Sequence, residues 1–349
     1  TVALARGDYY TGKVDQYAKE KLGVFLDDLK LSESKVYQDQ PLTVFATLTA
    51  RTLGEPIDVK VSCGDIPPAK TADGTDVSKI SPAVPTLYPG SSFAVEQFDA
   101  VDIDCTFGKG TLVPGRHNIQ LNATFNFTTL SYVKTYFMDK DTLRGLRQQS
   151  IDPLTQYGIT DKNPIAVYTT GPVMIGMSLG QPPLGIDRGS DEFLATLGMN
   201  VKNTWDGSIE RIKRVIVYLP QGFEMLDAGT YEFNRADCTK VGDQERDCAL
   251  YTVYEVLPSA RETTTFVNFR AHIKLPRGAY DKVLGLDPVA TRYFKATAEY
   301  EYKLSRTIGV TVEPAENAPG AALADKNPPG IIGTPGVIAQ ANSAIIAWT

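Results

Sequence analysis

The sequence is poor in the residues that most often carry chemistry. Its 349 residues include two histidines, two tryptophans and four cysteines, and acidic and basic side chains are interspersed around a net charge of −6. It contains no G-x-S-x-G, H-E-x-x-H or P-loop motif. It also lacks a basic patch that would neutralise nucleic-acid phosphates. We therefore expect no catalytic residues, no enzymatic activity and no nucleic-acid partner.

Long apolar runs are missing as well, so we expect no membrane span. The chain begins at Thr1 rather than Met, as it would after removal of a secretory leader, although a chain trimmed there for expression would look the same. Asn122 and Asn126 each begin an N-x-T sequon, which is a glycosylation site on secreted proteins. These features together predict an extracellular or cell-surface protein.

The four cysteines fall into two close pairs, Cys63 with Cys105 and Cys238 with Cys248. An even count with one pair in each half of the chain predicts two disulfides. In the loop-entropy model they would contribute about 4 and about 3 kcal/mol to stability. Free thiols are one alternative. A four-cysteine zinc site is another, but no C-x-x-C spacing supports it.

Hydrophobic periodicity predicts a mainly β fold. Short segments with alternating apolar residues, separated by Gly, Pro and Asp turns, occupy residues 41–137 and recur over residues 165–314. We predict two tandem antiparallel β-sandwich domains of the immunoglobulin-like kind, at residues 31–150 and 166–314, joined by a linker at 151–165. An internal sequence similarity supports two related sandwiches, since "NATFNFTTLS" (122–131) resembles "KATAEYEYKLS" (295–305).

Helical spacing appears in two places. Residues 8–30 set Leu22, Phe25, Leu26 and other apolar residues at helical intervals, which predicts an N-terminal arm and helix over residues 1–30. A helical insert near residues 139–149 has Asp141 positioned as its N-cap.

Three individual side chains have structural interpretations. Trp205 precedes an Asp-Gly turn and is expected to anchor a core or sheet face, with sugar stacking as the alternative. His117 and His272 lie in similar strand-like segments, and we expect them at equivalent structural positions rather than in a catalytic site.

No cofactor is expected, although calcium is a candidate, since secreted sandwiches often bind it through loop oxygens. None of the acidic clusters has EF-hand spacing, and charged turns or strand faces explain them equally well. The clusters are Asp73 with Asp76, then Glu96, Asp99, Asp102 and Asp104, and finally Asp187, Asp191 and Glu192.

The last 35 residues, 315–349, are the strongest functional clue, because no charged side chain follows Lys326. Four interpretations compete: a flexible spacer, a last strand of the chain's own domain, an anchoring signal, and a strand donated to a neighbouring subunit. Donation explains the missing charge best, because a charged side chain would be costly inside a partner's core. The predicted assembly-strand residues are Ile331, Ile332, Val337, Ile338, Ala341, Ile345, Ile346 and Trp348. The uncharged start "TVALA" leaves the opposite polarity open.

The stretches "LSYVKTYFMDKDTLRGLRQQSIDPLTQYGITDKNPIAVYTTGPVMIGM" and "NVKNTWDGSIERIKRVIVYLPQGFEM" resemble secreted surface proteins of small-genome archaea. The overall plan is similar to that of archaeal extracellular filament subunits assembled by donor-strand exchange. The resemblance implies a cell-surface thread, pilus or sheath protein, and it carries over no catalytic residues.

The function predicted from the sequence is therefore structural. We expect a subunit of an extracellular filament or surface assembly, a homopolymer in which copies join head to tail through a terminal β-strand. The alternative is a monomeric cell-surface adhesin or carbohydrate-binding ectodomain, with other surface proteins or glycans as partners. A viral coat subunit is a third candidate.

Overall fold

A computed structural model describes residues 21–52, 56–66, 84–189, 192–227, 233–237, 245–256, 266–315, 336–340 and 343–347. Strands dominate these residues, and nearly all of their pairings are antiparallel. The predicted fold class, mainly β with antiparallel sheets, is confirmed. No helix in these ranges is long and apolar enough to cross a membrane.

The centre of the fold is a ten-stranded sheet, which we call the long sheet. Two strands of 25 residues each, β8 (Gly115–Asp139) and β18 (Val289–Glu313), run antiparallel through its middle. Their register extends from Gly115 opposite Val312 to Met138 opposite Val289. The other strands are β2 (Lys35–Tyr37), β4 (Ile57–Ile66), β6 (Ser92–Val95), β9 (Val167–Tyr168), β11 (Leu184–Ile186), β13 (Ser208–Pro220), β15 (Asn234–Arg235) and β16 (Tyr251–Val256).

Two four-stranded antiparallel sheets complete the fold. In spatial order, the N-terminal sheet contains β1 (Gly23–Leu31), β3 (Leu42–Arg51), β7 (Ala100–Phe107) and β5 (Thr86–Tyr88). The C-terminal sheet contains β10 (Val173–Leu179), β12 (Glu192–Asn203), β17 (Phe266–Pro276) and β14 (Glu224–Asp227). Most buried residues of both sheets and of the long sheet belong to one hydrophobic cluster, and a second, smaller cluster lies at one end of the first sandwich. Two β-sandwiches therefore share the long sheet as a common layer.

The two segments of similar sequence, 122–131 and 295–305, pair with each other in this shared layer. Asn122 lies opposite Ser305, and Ser131 lies opposite Ala296. Each segment therefore belongs to the central strand pair that both sandwiches use. The domain boundaries drawn from the sequence stay a prediction, but the two halves of the chain are connected by backbone hydrogen bonds as well as by the segment 151–165.

The helix predicted over residues 8–30 is wrong for its last part. Residues 23–31 form β1, in which Val24 and Leu26 are buried at a two-residue interval and the backbone pairs with β3. The spacing of Leu22, Phe25 and Leu26 satisfies both a helix and a strand, and pairing with β3 decides between them. Residues 21 and 22 are in neither a helix nor a strand, and residues 8–20 of the predicted helix lie outside the described residues.

Four helices lie among the described residues: α1 (Lys140–Gln148), α2 (Pro153–Gln156), α3 (Glu245–Leu250) and α4 (Tyr280–Leu284). The first confirms the predicted helical insert, but its N-cap is Asp139 rather than Asp141. The Asp139 carboxylate accepts hydrogen bonds from the backbone N–H groups of Asp141 and Thr142, which have no partner within the helix. The short α2 lies inside the segment predicted as a linker.

The C-terminal segment forms two short strands where the sequence predicts one extended strand. Strands β19 (Gly336–Gln340) and β20 (Ser343–Ala347) pair antiparallel, with Val337 opposite Ile346 and Ile338 opposite Ile345. We call this pair the ribbon. The two polar residues Gln340 and Ser343 face each other where the chain reverses, which interrupts a longer strand. Among the described strands, the ribbon pairs only with itself.

The predicted disulfide between Cys63 and Cys105 is present, with an S–S distance of 2.01 Å. Cys63 lies on β4 of the long sheet and Cys105 on β7 of the N-terminal sheet, so the bond joins the two layers of the first sandwich. Cys248 is also disulfide-bonded. Its predicted partner, Cys238, lies outside the described residues, so that pairing stays a prediction.

We expect the double change Cys63→Ala and Cys105→Ala to lower the free energy of unfolding by about 4 kcal/mol, because the bond closes a loop of 42 residues in the unfolded chain. Urea denaturation under non-reducing conditions measures this loss. Lys60→Ala, an exposed position on the same strand, serves as control and should change stability by less than about 0.5 kcal/mol. A loss below about 1 kcal/mol in the double variant would contradict the expectation.

Candidate functional site

A cavity of about 470 Å³ lies at the seam of the second sandwich, where β8 of the long sheet passes the edge strand β10 of the C-terminal sheet. We call this cavity the slot. Residues 133–135 of β8 form one wall and residues 176–180 at the end of β10 form the other. The connecting segment 164–166 borders it, with Ile165 81% exposed. The slot therefore extends from the edge of β8 past β10 and across the outer face of the C-terminal sheet, where Asn200 of β12 and Arg270 of β17 also line it.

Buried hydroxyl groups close the seam next to the slot. Thr129 and Ser131 of β8 are fully buried, and their hydroxyls donate to the backbone carbonyls of Val173 and Ile175 at 2.9 Å each. Since Thr129 donates to Val173, it accepts the hydroxyl hydrogen of Tyr300, also at 2.9 Å. Burial raises the pKa of Tyr300, so its hydroxyl stays protonated and able to donate. These bonds satisfy the first half of the β10 edge without a neighbouring strand.

Among the described residues, no β8 hydroxyl donates to the second half of the β10 edge. Backbone groups of alternate residues point to the same side of a strand, so Met177 and Leu179 face the same way as Val173 and Ile175, away from β12. The next inward residue of β8 is Val133, which has no hydroxyl to offer. No strand of the described residues pairs with this edge of β10.

The opposite wall of the slot is also open. Strand β9 pairs with β8 at Ser131 and Tyr132, and β11 pairs with it at Phe137–Asp139. No described strand occupies this edge of β8 between them, at residues 133–136. The gap is about 13 Å long at the usual rise of a strand, which is room for about four residues of extended peptide.

Small residues form the floor of the slot. The backbone N–H of Gly176 donates to Asn200 Oδ1 at 3.2 Å, and a Cβ atom at Gly176 would lie 2.6 Å from that oxygen. A Cβ atom at Gly198 would lie 2.9 Å from Ser178 Oγ. Larger side chains at these two glycines would displace Asn200 and Ser178, so the glycines allow these polar side chains to lie against the neighbouring strands.

The charge at the slot is small. Lys134 Nζ lies 2.6 Å from the Asp161 carboxylate. Partial burial alone would lower the pKa of Lys134, but hydrogen bonds to Asp161 and Tyr136 raise it, so the pair stays ionised. Arg270 and Asn268 are exposed at the far rim, and no Asp, Glu or His lies among the described lining residues. The slot thus combines apolar walls with backbone groups and amides.

The sequence analysis did not identify the slot or the hydroxyls beside it. A signal existed in "FNFTTLSYV", where Thr129 and Ser131 occupy inward positions that phenylalanine occupies at 125 and 127. A second signal was the series of small residues Gly176 and Ser178, which face outward on β10, and Gly180 directly after it. Neither signal shows that β8 and β10 meet, because that contact depends on the fold.

Trp205 has the anchoring role that its sequence context predicts. Its ring lies 5.0 Å from the Phe25 ring of β1 and 6.3 Å from the Tyr302 ring of β18. A Cβ atom at Gly23 would lie 2.9 Å from it, so the start of β1 approaches the ring closely. Beside it, Asp206 and Arg306 form an ion pair at 2.9 Å. Trp205 therefore joins the β12–β13 turn of the second sandwich to the first.

The two histidines occupy different environments, so the expectation of equivalent positions is wrong. His272 is exposed on β17. His117 is buried, with Nδ1 2.6 Å from Asp65 Oδ2 and Nε2 2.6 Å from the carbonyl oxygen of Val113. Both partners accept hydrogen bonds, so both ring nitrogens must carry hydrogen and the imidazole is cationic. The hydrogen bond to Asp65 raises the pKa of His117, with burial acting in the opposite direction.

The sequons and acidic clusters have distinct settings. Asn126 is exposed, whereas Asn122 is half-buried, donating to Ser62 and accepting from Ser305. Glycosylation at either residue stays a prediction. Among the described residues, no group of three or more His, Cys, Asp or Glu side chains is placed to hold a metal ion. Asp73, Asp76 and Asp191 lie outside those residues.

The predicted assembly-strand residues lie partly in the ribbon. Val337 and Ile338 belong to β19, and Ile345 and Ile346 belong to β20. The other predicted residues lie outside the described part of the chain: Ile331, Ile332, Ala341 and Trp348.

Comparisons with known proteins do not identify a family for this chain. No family model matches the chain, and no curated protein matches it. Among solved structures, the collagen-binding domain of surface protein RspB from Erysipelothrix rhusiopathiae is 9% identical, with a TM-score of 0.18, and the match covers 85% of this chain and 99% of that one. The Enterococcus faecalis MSCRAMM ACE is 9% identical, with a TM-score of 0.18, and the match covers 86% of this chain and 98% of that one. Collagen adhesin from S. aureus is 11% identical, with a TM-score of 0.17, and the match covers 83% of this chain and 92% of that one. Scores this low do not establish a common fold.

We expect the contribution of His117 to stability to depend on pH. Its pKa is higher in the folded chain, so the stabilisation is fully present below the unfolded value of about 6.5 and is lost as pH rises through the folded value. Urea denaturation should show a larger difference between the wild type and His117→Gln at pH 6 than at pH 9. The exposed His272→Gln is the control and should follow the wild type at both values. A difference that grows with pH would contradict the cationic assignment.

Proposed function

We propose that this protein is a non-enzymatic extracellular binding protein of the adhesin kind, which captures an extended segment of a protein ligand in the slot. The supporting observation is the pair of unpaired strand edges, on β8 and β10, that face one cavity. An extended peptide that adds to such an edge satisfies its own backbone groups and those of the edge together. Side chains of the peptide would then pack against the apolar walls.

The chemistry of the slot favours binding over catalysis. Its described lining holds no carboxylate and no imidazole, the groups that most often act as general acid or base. Both ring nitrogens of the buried His117 are hydrogen-bonded in the first sandwich, to Asp65 and to the carbonyl of Val113. The lining is instead a mixture of apolar side chains, hydroxyls and amides with two cationic groups, Lys134 and Arg270, which is typical of a ligand-binding pocket.

The disulfide between Cys63 and Cys105 supports the extracellular compartment. Disulfides persist in oxidising environments and are rare in the cytosol. Cys248 is disulfide-bonded as well, so both halves of the chain carry this chemistry.

A second candidate function is the subunit of an extracellular filament or surface assembly, which the ribbon favours. Its strands β19 and β20 contain no charged residue, and each carries adjacent large apolar residues. A two-stranded ribbon is marginally stable in water unless a third strand or a packed surface supports it. A neighbouring subunit would supply that support.

The binding function predicts that filling the slot abolishes capture. Ser178→Trp places a large side chain on the slot wall without changing charge, and we expect it to weaken peptide binding at least tenfold. Binding is measured on an array of synthetic twelve-residue peptides that spans neutral and charged sequences. Leu194→Trp is the matched control, because Leu194 is 57% exposed on the same sheet and outside the slot. Equal binding by both variants, or no binding by the wild type, would refute the proposal.

The assembly function predicts that the ribbon is needed for polymers. Negative-stain electron microscopy of the full chain should show filaments or rings, because head-to-tail contacts either remain open or close. A chain that ends at Asp325 lacks the ribbon and should give dispersed particles only. Dispersed particles from both chains would sink this candidate and leave the binding function standing.

A further inference from the structure

We infer that the slot selects an extended peptide segment with a glutamate side chain, and that Arg270 binds this side chain across the outer face of the C-terminal sheet. The inference rests on the proposed function of the slot as a peptide acceptor. It adds the chemical class of the ligand, a segment that carries a carboxylate between apolar residues, and it names the residue that recognises the carboxylate.

One row of residues leads across the sheet from the slot to Arg270 without a bulky side chain in the way. Ser178 of β10 lies opposite Gly198 of β12, and Gly198 lies opposite Arg270 of β17. All three residues line the slot, and Ser178 and Arg270 are exposed. Because Gly198 has no side chain and Ser178 has a short one, a side chain that enters beside β10 can approach the Arg270 guanidinium over them.

The neighbouring row is already filled. Gly176 lies opposite Asn200, and Asn200 lies opposite Asn268. The side-chain oxygen of Asn200 accepts a hydrogen bond from the backbone N–H of Gly176 at 3.2 Å, and it would lie 2.6 Å from a Cβ atom there. The amide of Asn200 therefore occupies the space over Gly176. The row of Ser178 is the one that can accept a side chain of a bound peptide.

The spacing of the strands favours glutamate over aspartate. A peptide strand added beside β10 would lie three strand spacings from β17, or about 14 Å. An arginine and a glutamate extended toward each other, joined by a hydrogen bond of about 2.8 Å, together span about this distance. The side chain of aspartate is shorter by one carbon–carbon bond, about 1.5 Å.

Arg270 is the cation of the slot that has no acidic partner. Lys134 on the opposite wall pairs with Asp161 at 2.6 Å. Lys274, further along β17, pairs with Glu224 at 3.4 Å. Within the described part of the chain, Arg270 forms no ion pair, and no described lining residue is acidic. A guanidinium presents a planar fork of donors that matches a carboxylate, so an acidic side chain is the complementary ligand.

The residues on either side of the glutamate would face the opposite side of the added strand, because successive side chains of a strand alternate. There they would meet apolar lining residues that are buried, namely Val133, Met177 and Leu179. The expected ligand is therefore an extended segment in which a glutamate lies between two apolar residues.

A charge-reversal experiment tests the inference. The probes are twelve-residue peptides with a central Val-Xaa-Val sequence, in which Xaa is Glu, Asp, Gln or Lys, and their affinities are measured by fluorescence anisotropy. The change Arg270→Glu reverses the charge beside the slot. The matched control is Lys202→Glu, because Lys202 is exposed on the same face of the sheet and lies outside the slot.

We expect the wild type to bind the glutamate peptide about fivefold more tightly than the glutamine peptide, the upper range for an ion pair in contact with water. The aspartate peptide should bind with intermediate affinity. Arg270→Glu should prefer the lysine peptide to the glutamate peptide, whereas Lys202→Glu should keep the order of the wild type. The wild-type preference should weaken as salt is added, because exposed charges are screened.

Equal binding of the glutamate and glutamine peptides by the wild type would overturn the inference. So would a preference that Lys202→Glu removes as strongly as Arg270→Glu, because the general field of the sheet would then be responsible. If peptides bind without regard to charge and Ser178→Trp abolishes this binding, the proposed function stands and only the glutamate fails. If the wild type binds no peptide, the proposed function fails and the inference fails with it.

Discussion

The fold depends on the hydrogen-bonded pair of β8 and β18. These strands stay in register from Gly115 opposite Val312 to Met138 opposite Val289, and each turns its inner face to both sandwiches in succession. Phe125 and Leu121 pack in the first sandwich, and Phe137 and Phe294 pack in the second. Because one strand pair provides a wall of both cores, a slip in its register would invert the buried and exposed faces of both sandwiches together.

The seam of the second sandwich follows from this shared wall. The pairing of β8 with β4 ends at Phe125, and after Phe127 the inward side chains of β8 change from phenylalanine to the hydroxyl-bearing Thr129 and Ser131. These hydroxyls take the place of a neighbouring strand for half of β10, and the slot begins where they stop. A buried polar group is tolerated there because its hydrogen bonds are complete.

Local pattern was enough to predict the fold class, the Cys63–Cys105 disulfide and the helix after β8. It failed at β1, where Leu22, Phe25 and Leu26 fit both periods and only pairing with β3 decides. It failed again at the histidines, because the burial of His117 depends on Asp65 and Val113, which the fold brings to it. Local sequence pattern could not predict the slot, because its two walls are more than forty residues apart in sequence and share no motif.

Strand β18 is the last strand of the sandwiches before the C-terminal segment in the sequence, and this order has a mechanical consequence. If a neighbour holds the ribbon, tension enters the molecule along the axis of β18. Hydrogen bonds between antiparallel strands lie perpendicular to the strands, so this load shears the pairing with β8 along its whole length rather than peeling it apart bond by bond. If molecules were joined through the ribbon, a stretched chain of them would separate at that short contact first, while each subunit kept its fold.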